Sequence, residues 1–222
     1  MQKISGYIIS LLLLLPVWCS AQDTIRYPIN AMRGIRIGVD ISRLALPLLF
    51  NGERMGFEAT ADMHIKDNLF AVAEAGMLHV SLNKDDFQYR GNGVYAKVGV
   101  DNNLLKSRRP YSNDIVYAGA RYGFSVFGHH ADHVTIPGRF WPDATEQIIP
   151  VNTMHAHWLE LLLGVKAEVL KNLYFGLSFR FKFMLISPKD KYSTPYLIPG
   201  FGEGNQGYAL GINYCVSYNF HF

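Results

Sequence analysis

The amino-acid sequence predicts an all-β protein, an eight-stranded antiparallel transmembrane up-and-down β-barrel. Three observations lead to this prediction. Eight segments alternate apolar and polar residues with a period of two, the connections between them alternate in length, and the chain closes on such a segment. Each segment has at least the ~9–11 residues that a tilted strand needs to cross a bilayer. After residue 21, no stretch approaches the ~18 consecutive apolar residues of a membrane-spanning helix.

The first 21 residues predict a cleaved signal peptide. Lys3 supplies the positive charge, residues 7–17 form an apolar run, and residues 19–21 read "CSA", a small-x-small cleavage site. Cleavage after Ala21 would leave one domain over residues 22–222, which we expect to form the barrel.

The composition of the chain after Ala21 excludes some classes of protein. It carries 20 Lys and Arg against 18 Asp and Glu, with no basic stripe, which gives no electrostatic case for nucleic-acid binding. Cleavage also removes Cys19 and leaves Cys215, so that no intramolecular disulfide can form. A lipid anchor on Cys19 is an alternative, which the bulky residues Val17 and Trp18 disfavour.

The first strands show the alternation in two of three cases. Apolar side chains take the odd positions of the first two segments and polar or small ones the even positions, whereas the third, Leu69 to Leu82, is rich in alanine and its facing is ambiguous. The eight predicted strands are Gly34 to Arg43, Gly56 to Ile65, Leu69 to Leu82, Gly93 to Asp101, Asp114 to Phe127, Trp158 to Leu170, Leu173 to Leu185 and Gly207 to Phe222.

The later strands range from ambiguous to very regular. Trp158 to Leu170 could also form an amphipathic helix, but the two residues "KN" at 171–172 lead straight into the next strand, as in a tight hairpin. In that next strand every odd position from 173 to 185 is Leu or Phe. The last strand alternates from Tyr208 to Phe222.

The connections predict which end of the barrel faces outward. Those at 66–68 and 171–172 are short, and those at 83–92, 128–157 and 187–206 are long. Outer-membrane barrels have short periplasmic turns and long extracellular loops, which predicts an outer-membrane location. One connection, "NNLLKSRRPYSN", is long for a periplasmic turn. The apolar runs "LALPLLF" and "YLIPGF" are expected to pack over the barrel mouth, or else to mark a partner or ligand surface.

The polar face of the strands predicts a charged interior. An eight-stranded barrel is just wide enough for side chains to fill, and an unpaired buried charge is costly, so these charges should pair. The predicted lumen network consists of Arg36, Asp40, Glu58, Asp62, Glu74, Lys97, Asp101, Arg121, Glu160, Lys166, Glu168, Arg180 and Lys182. Cys215 should also face the lumen. The alternative is a secreted soluble ligand-binding β-barrel, which would bury the apolar face instead.

Histidines near one rim could bind a metal. Antiparallel pairing of the fifth and sixth strands would bring together "GHHADH" and "HAH", and imidazoles suit zinc, copper or nickel. The candidate ligands are His129, His130, His133, His155 and His157. The alternative is a wet polar loop, since the spacing matches no known zinc signature. We therefore expect no cofactor.

An enzymatic role is a further alternative. Ser125, His129 and Asp132 could be combined into a triad for a lipid-modifying barrel enzyme, but no nucleophile motif supports it.

The chain resembles the small eight-stranded outer-membrane barrels of the OmpA/OmpX type, in particular secreted barrel proteins of Bacteroidota. The residues that carry this resemblance are the cleavage site before Gln22, the alternating strands, and Tyr214, Val216, Tyr218, Phe220 and Phe222. The resemblance implies that the last strand is an assembly signal, with Tyr214, Tyr218, Phe220 and Phe222 read by the barrel-assembly machinery. It implies no specific function. We expect outer-membrane lipid around the barrel, and a structural, adhesion or ligand- or partner-binding role for the extracellular loops.

Overall fold

The fold was analysed in a computed structural model. It describes the backbone of residues 34–49, 52–66, 68–84, 87–105, 114–136, 145–188 and 195–221. The predicted signal peptide and Phe222 lie outside these residues.

The described chain is almost entirely β-strand. The strands are β1 Ile35–Asp40, β2 Arg54–Lys66, β3 Leu69–Lys84, β4 Phe87–Asn103, β5 Ile115–Ile136, β6 Thr145–Leu170, β7 Leu173–Ile186, β8 Leu197–Ile198, β9 Gly202–Glu203 and β10 Tyr208–Phe220. Two one-turn helices, α1 Ile41–Leu44 and α2 Leu46–Leu49, follow β1. No helix of the described residues is long and apolar enough to cross a membrane.

Eight of these strands close into a single barrel, and the predicted fold class is confirmed. Their order around the barrel is β1-β10-β7-β6-β5-β4-β3-β2, with every neighbouring pair antiparallel. The barrel closes where β1 pairs with β10, so that Val39 lies opposite Val216. Closure satisfies the backbone groups that an open sheet edge would expose. We call the end where β1 begins and β10 ends the terminal end.

The two faces of the wall have opposite chemistry. On β7, Arg180 and Lys182 are at most 8% exposed, whereas Phe179, Phe181 and Phe183 on the outer face are 43–53% exposed. A soluble barrel buries its apolar face, so this arrangement is that of a barrel whose outer face meets lipid. The predicted soluble alternative is wrong for this reason.

The facing of β3, which its sequence left ambiguous, is resolved. Phe70, Val72 and Leu78 point inward together with Glu74, and the alanines point outward. The lumen is therefore layered. Apolar side chains lie near the terminal end around Phe70, charged groups lie in the middle, and a second apolar layer lies above them.

Several predicted strand bounds are wrong. The predicted connections at 83–92 and 128–157 are largely strand, because β3 and β4 continue to Lys84 and Phe87 and the β5–β6 hairpin continues to Ile136 and Thr145. The extensions mix polar and apolar residues without strict alternation, which hides them in the sequence. β1 is shorter than predicted, since the Asp40 side chain accepts a hydrogen bond of 2.9 Å from the backbone N–H of Ser42 and starts α1.

A segment after β7 folds into the mouth of the barrel. Residues 195–204, which include the β8–β9 hairpin and which we call the plug, place Ile198 and Phe201 at 0% and 1% exposure. The prediction that "YLIPGF" packs over the mouth is therefore confirmed. The same prediction for "LALPLLF" is wrong for Leu44 and Leu48, which are 52% and 86% exposed. The end that holds the plug is called the plug end.

Candidate functional site

Three buried carboxylates converge on one lysine in the middle of the lumen. Glu58, Glu74 and Glu160 come from β2, β3 and β6, and the Nζ atom of Lys97 on β4 lies 3.1, 2.8 and 3.8 Å from their nearest oxygens. All four side chains are at most 5% exposed. Glu58 and Glu74 lie within hydrogen-bond distance of the ammonium group, whereas Glu160 at 3.8 Å interacts with it as an ion pair only.

Arg180 is the second cation shared by these carboxylates. Its Nη1 atom lies 2.6 Å from Glu74, 3.3 Å from Glu160 and 3.7 Å from Glu58. Neutral donors complete the arrangement, because Trp158 Nε1 donates to Glu160 at 2.7 Å. Each carboxylate thus has a cation and further donors, which buried charges require.

The network continues toward the terminal end. Arg121 contacts Asp101 at 2.7 Å and Glu74 at 3.5 Å, which links the central carboxylates to the next layer. Asp62 lies between two cations, with Arg36 and Lys166 each 2.6 Å away. Lys166 also lies 3.9 Å from Asp101, so the charges form one chain of contacts along the lumen.

Asp40 and Asn213 join β1 to β10 inside the lumen. The Asn213 amide donates to the Asp40 carboxylate and lies 3.4 Å from Glu58 Oε1. This contact ties the closing pair of strands to the central carboxylates.

Lys182 connects the network to the plug. Its Nζ atom donates to the carbonyl oxygens of Gly200 at 2.6 Å and Phe201 at 3.0 Å, and lies 3.9 Å from Glu160. The Phe201 ring packs edge-on against Trp158, with the ring centroids 6.0 Å apart. A buried cation and an aromatic contact thus hold the plug in place.

Little free volume is left among these groups. The lumen cavity lined by Asp62, Asp101 and Ser178, with Cys215 on its wall, measures about 30 Å³. A cavity of this size holds a water molecule or two. The described lumen is filled by side chains, as expected for eight strands.

The predicted network residues lie together with one exception. Glu168 lies at the β6–β7 turn, where its Oε1 atom accepts a hydrogen bond of 2.7 Å from the backbone N–H of Asn172. The predicted charge network did not include Arg43, Tyr95 and Asn213. The inward parity of β4 and β10 could have identified Tyr95, which donates to Glu58 at 2.5 Å, and Asn213. Arg43, whose guanidinium group lies 3.8 Å from Glu58, belongs to the helix α1, where the sequence predicted a strand.

The predicted histidine cluster is not brought together. His129 is 1% exposed and points inward against Tyr89, whereas His130, His155 and His157 lie on the outer face. His155 is opposite Val126, four residues or about 13 Å along the strand from His130. Among the side chains that the structure describes, no three His, Cys, Asp or Glu could hold a metal. The side chain of His133 lies outside them.

The imagined catalytic triad is also not formed. Ser125 is fully buried and its Oγ donates to the carbonyl oxygen of Val94 at 3.2 Å. His129 is four residues further along the same strand face, about 13 Å away and out of hydrogen-bond reach. The side chain of Asp132 is not among the described ones.

The last strand presents aromatic side chains outward. Tyr214, Tyr218 and Phe220 are 41%, 43% and 52% exposed, and the Tyr218 and Phe220 rings are 4.9 Å apart. Such residues suit the aromatic girdle of a membrane barrel. Their role as an assembly signal stays a prediction.

The fold and the ionic lumen define the class of the protein as a closed transmembrane β-barrel. Within that class, the chain belongs to the family DUF6048, a domain of unknown function, whose model matches residues 4–222. Among curated proteins, none matches the chain.

Several solved structures have a similar fold. A major outer membrane protein from Thermus thermophilus is 13% identical, with 84% of this chain and 98% of that one covered and a TM-score of 0.46. Ail, the attachment invasion locus protein of Yersinia pestis, is 8% identical, with 85% and 99% covered and a TM-score of 0.41. Neisserial surface protein A is 10% identical, with 84% and 94% covered and a TM-score of 0.38.

Proposed function

We propose that the protein is an outer-membrane barrel without enzymatic activity that is closed to solutes and binds an extracellular partner with its plug end. In this proposal the signal peptide is removed after Ala21 and the last strand is read by the barrel-assembly machinery. The observation that carries the membrane location is the arrangement of the two faces of the wall, which is the reverse of that in a soluble barrel. Ion pairs lie inside and large apolar side chains lie outside. Among these are Phe179, Leu163 and Leu210, at 52%, 59% and 69% exposure.

The filled lumen supports a closed barrel. A conduit would need a continuous aqueous path, whereas the described lumen is occupied by the ion pairs around Lys97 and is covered by the plug. The plug backbone is held by Lys182 and its side chains pack with Trp158, so the cover has both polar and apolar contacts.

The length of the β5–β6 hairpin supports a role outside the membrane. β5 has 22 residues and β6 has 26, although about 11 suffice to cross a bilayer. About 15 residues of β6 therefore continue past the membrane. A protruding hairpin of this size offers a surface for a partner.

Fractionation and electrophoresis test the membrane location. We expect the protein in the detergent-extracted membrane fraction, with an electrophoretic shift when the sample is boiled because the folded barrel resists the detergent. A soluble protein without a shift would contradict the proposal. In planar bilayers the purified barrel should show no steady conductance, whereas a stable open channel would contradict the closed lumen.

Surface labelling tests the orientation. In a Cys215→Ser background, Thr153→Cys on the protruding hairpin should react with a membrane-impermeant maleimide on intact cells. The matched control, Lys66→Cys at the terminal end, should react only after the cells are broken. Both side chains are exposed, so a difference in labelling reports the side of the membrane on which each lies. The reverse labelling pattern would place the plug end in the periplasm.

A further inference from the structure

The plug closes the mouth of the barrel without being part of the barrel wall. Among the described residues, the two short strands of the plug pair only with each other, with Ile198 opposite Gly202. The backbone N–H of Phe201 donates to the carbonyl oxygen of Ile198 at 3.1 Å, again within the plug. The ladder of hydrogen bonds that closes the barrel therefore does not depend on the plug.

The wall of the mouth forms an apolar cup that the plug fills. Tyr95, Phe127 and Trp158 line this cup from β4, β5 and β6, and all three are buried. The plug inserts the side chains of Ile198 and Phe201 between them. An apolar group gains free energy in such a cup because it loses its contact with water. The cup is thus a site for an apolar group, and the plug occupies it in this structure.

Lys182 is the charged group that the plug contacts. It is buried, and its Nζ atom donates to the carbonyl oxygens of Gly200 and Phe201 at 2.6 and 3.0 Å. The nearest carboxylate oxygen among the described residues is that of Glu160 at 3.9 Å, which is beyond hydrogen-bond distance. Glu160 also lies 3.3 Å from Arg180. The hydrogen bonds of the Lys182 ammonium group therefore go to neutral carbonyl groups of the plug.

Positive charge is in excess in the lumen. The ion pairs of the described residues there involve seven cations and six carboxylates. A buried cation is costly unless it is paired, and a hydrogen bond to a carboxylate is stronger than one to a neutral carbonyl group. An anionic group would therefore compensate the charge of Lys182 better than the plug does.

We infer that the mouth of the barrel is a binding site for an amphiphilic monocarboxylate, and that the plug occupies this site when the ligand is absent. The carboxylate replaces the two plug carbonyl oxygens at Lys182, and the apolar chain replaces Ile198 and Phe201 in the cup. The central ion pairs stay in place, so the barrel remains closed to solutes. This inference goes beyond the proposed partner binding and concerns the folded barrel alone.

Binding of laurate to the purified barrel in phosphatidylcholine nanodiscs tests the inference. Trp141→Phe leaves Trp158 as the single tryptophan of residues 22–222, so that its fluorescence reports on the cup. We expect a saturable change in fluorescence and faster hydrogen exchange of residues 195–204. Dodecanol has the same chain without the charge and should bind about tenfold more weakly, because the charge-assisted hydrogen bonds to Lys182 are lost.

A disulfide that fixes the plug provides a matched control. A Cβ atom at Gly202 would lie 3.4 Å from the Cβ atom of Ala209 on β10, close to the Cβ distance in a disulfide. In a Cys215→Ser background, the variant Gly202→Cys, Ala209→Cys should bind no laurate when oxidised and should bind it again when reduced. Both states carry the same substitutions, so any strain at Gly202 is common to them.

A loosened plug should have the opposite effect. Gly200 has a φ of +81°, and a Cβ atom there would lie 2.7 Å from the ring of Tyr95. Gly200→Ala should therefore weaken the packing of the plug and strengthen laurate binding severalfold, because less of the protein has the site occupied. Gly207→Ala, outside the plug and with open space around it, should bind laurate like wild type.

Several outcomes would overturn the inference. These are the absence of saturable laurate binding, equal binding of laurate and dodecanol, equal binding by the oxidised and reduced forms of the disulfide variant, or weaker binding by Gly200→Ala. If laurate binds as expected but the protein is soluble and shows no boiling shift, the proposed membrane location fails and the ligand site stands.

Discussion

Replacement of Lys97 by methionine should strongly destabilise the folded barrel. The substitution keeps most of the length of the side chain and removes the charge that Glu58, Glu74 and Glu160 share at 3.1, 2.8 and 3.8 Å. At an effective dielectric constant of 20, each distance corresponds to about 4–6 kcal/mol of gross attraction. The cost of desolvating the charges offsets most of this.

The measured loss should be about 3–5 kcal/mol, the usual cost of removing one partner from a buried ion pair. Unfolding of the purified barrel by guanidinium in lipid vesicles, followed by the electrophoretic shift, gives the free energy of unfolding. Lys66→Met removes an exposed lysine and serves as the control, with an expected change of under about 1 kcal/mol.

A double variant makes the reasoning refutable. Adding Glu74→Gln to Lys97→Met removes one of the stranded carboxylate charges, so the double variant should be more stable than the sum of the two single changes indicates. Additive effects, or a Lys97→Met loss no larger than that of Lys66→Met, would show that the central ion pairs are not coupled as their geometry indicates.

Three other substitutions test other parts of the structure. Lys182→Met should raise proteolysis and hydrogen exchange of the plug, since two carbonyl groups lose a charged donor worth about 1–3 kcal/mol; unchanged protection would contradict this role. Gly123→Ala should lower the free energy of unfolding by about 1–3 kcal/mol, because the new Cβ atom would meet the ring of Trp158. Gly207→Ala is the control and should have no effect, since open space surrounds Gly207. Equal effects of the two substitutions would argue against close packing at Gly123. Phe179→Arg should cost about 2–4 kcal/mol in vesicles if this face meets lipid, and a neutral result would contradict that.

The alternation of side chains explains why much of the interior was predictable. In a strand, neighbouring residues face opposite sides whatever the partner strand is. The odd or even position of a residue along its strand, here called its parity, was therefore enough to place Glu58 and Lys97 in the lumen. Parity also limits the prediction. Glu168 has the inward parity, but it lies where β6 turns into β7 and its carboxylate accepts from a backbone N–H there.

Features that depend on three-dimensional packing could not be predicted. The plug has no periodic pattern, so its contact with Lys182 follows only from the folded chain. The predicted histidine site does not form for two reasons. Strand pairing fixes how far along the barrel a residue lies, and its odd or even position in the strand fixes whether it faces the lumen or the outside. His129 and His130 are adjacent in sequence and therefore lie on opposite sides of the wall.

The barrel wall is not held equally strongly around its circumference, and its weakest part is the pair of strands that closes it. β1 has six residues, whereas its neighbours β2 and β10 have 13 each, so fewer backbone hydrogen bonds hold β1 than hold the other strands of the barrel. This seam also joins residues as far apart in sequence as Ile35 and Phe220. Bringing such distant segments together is slow, and a short ladder is the easiest to part. We therefore expect β1 to pair with its neighbours last during folding and to separate from them first under mechanical load.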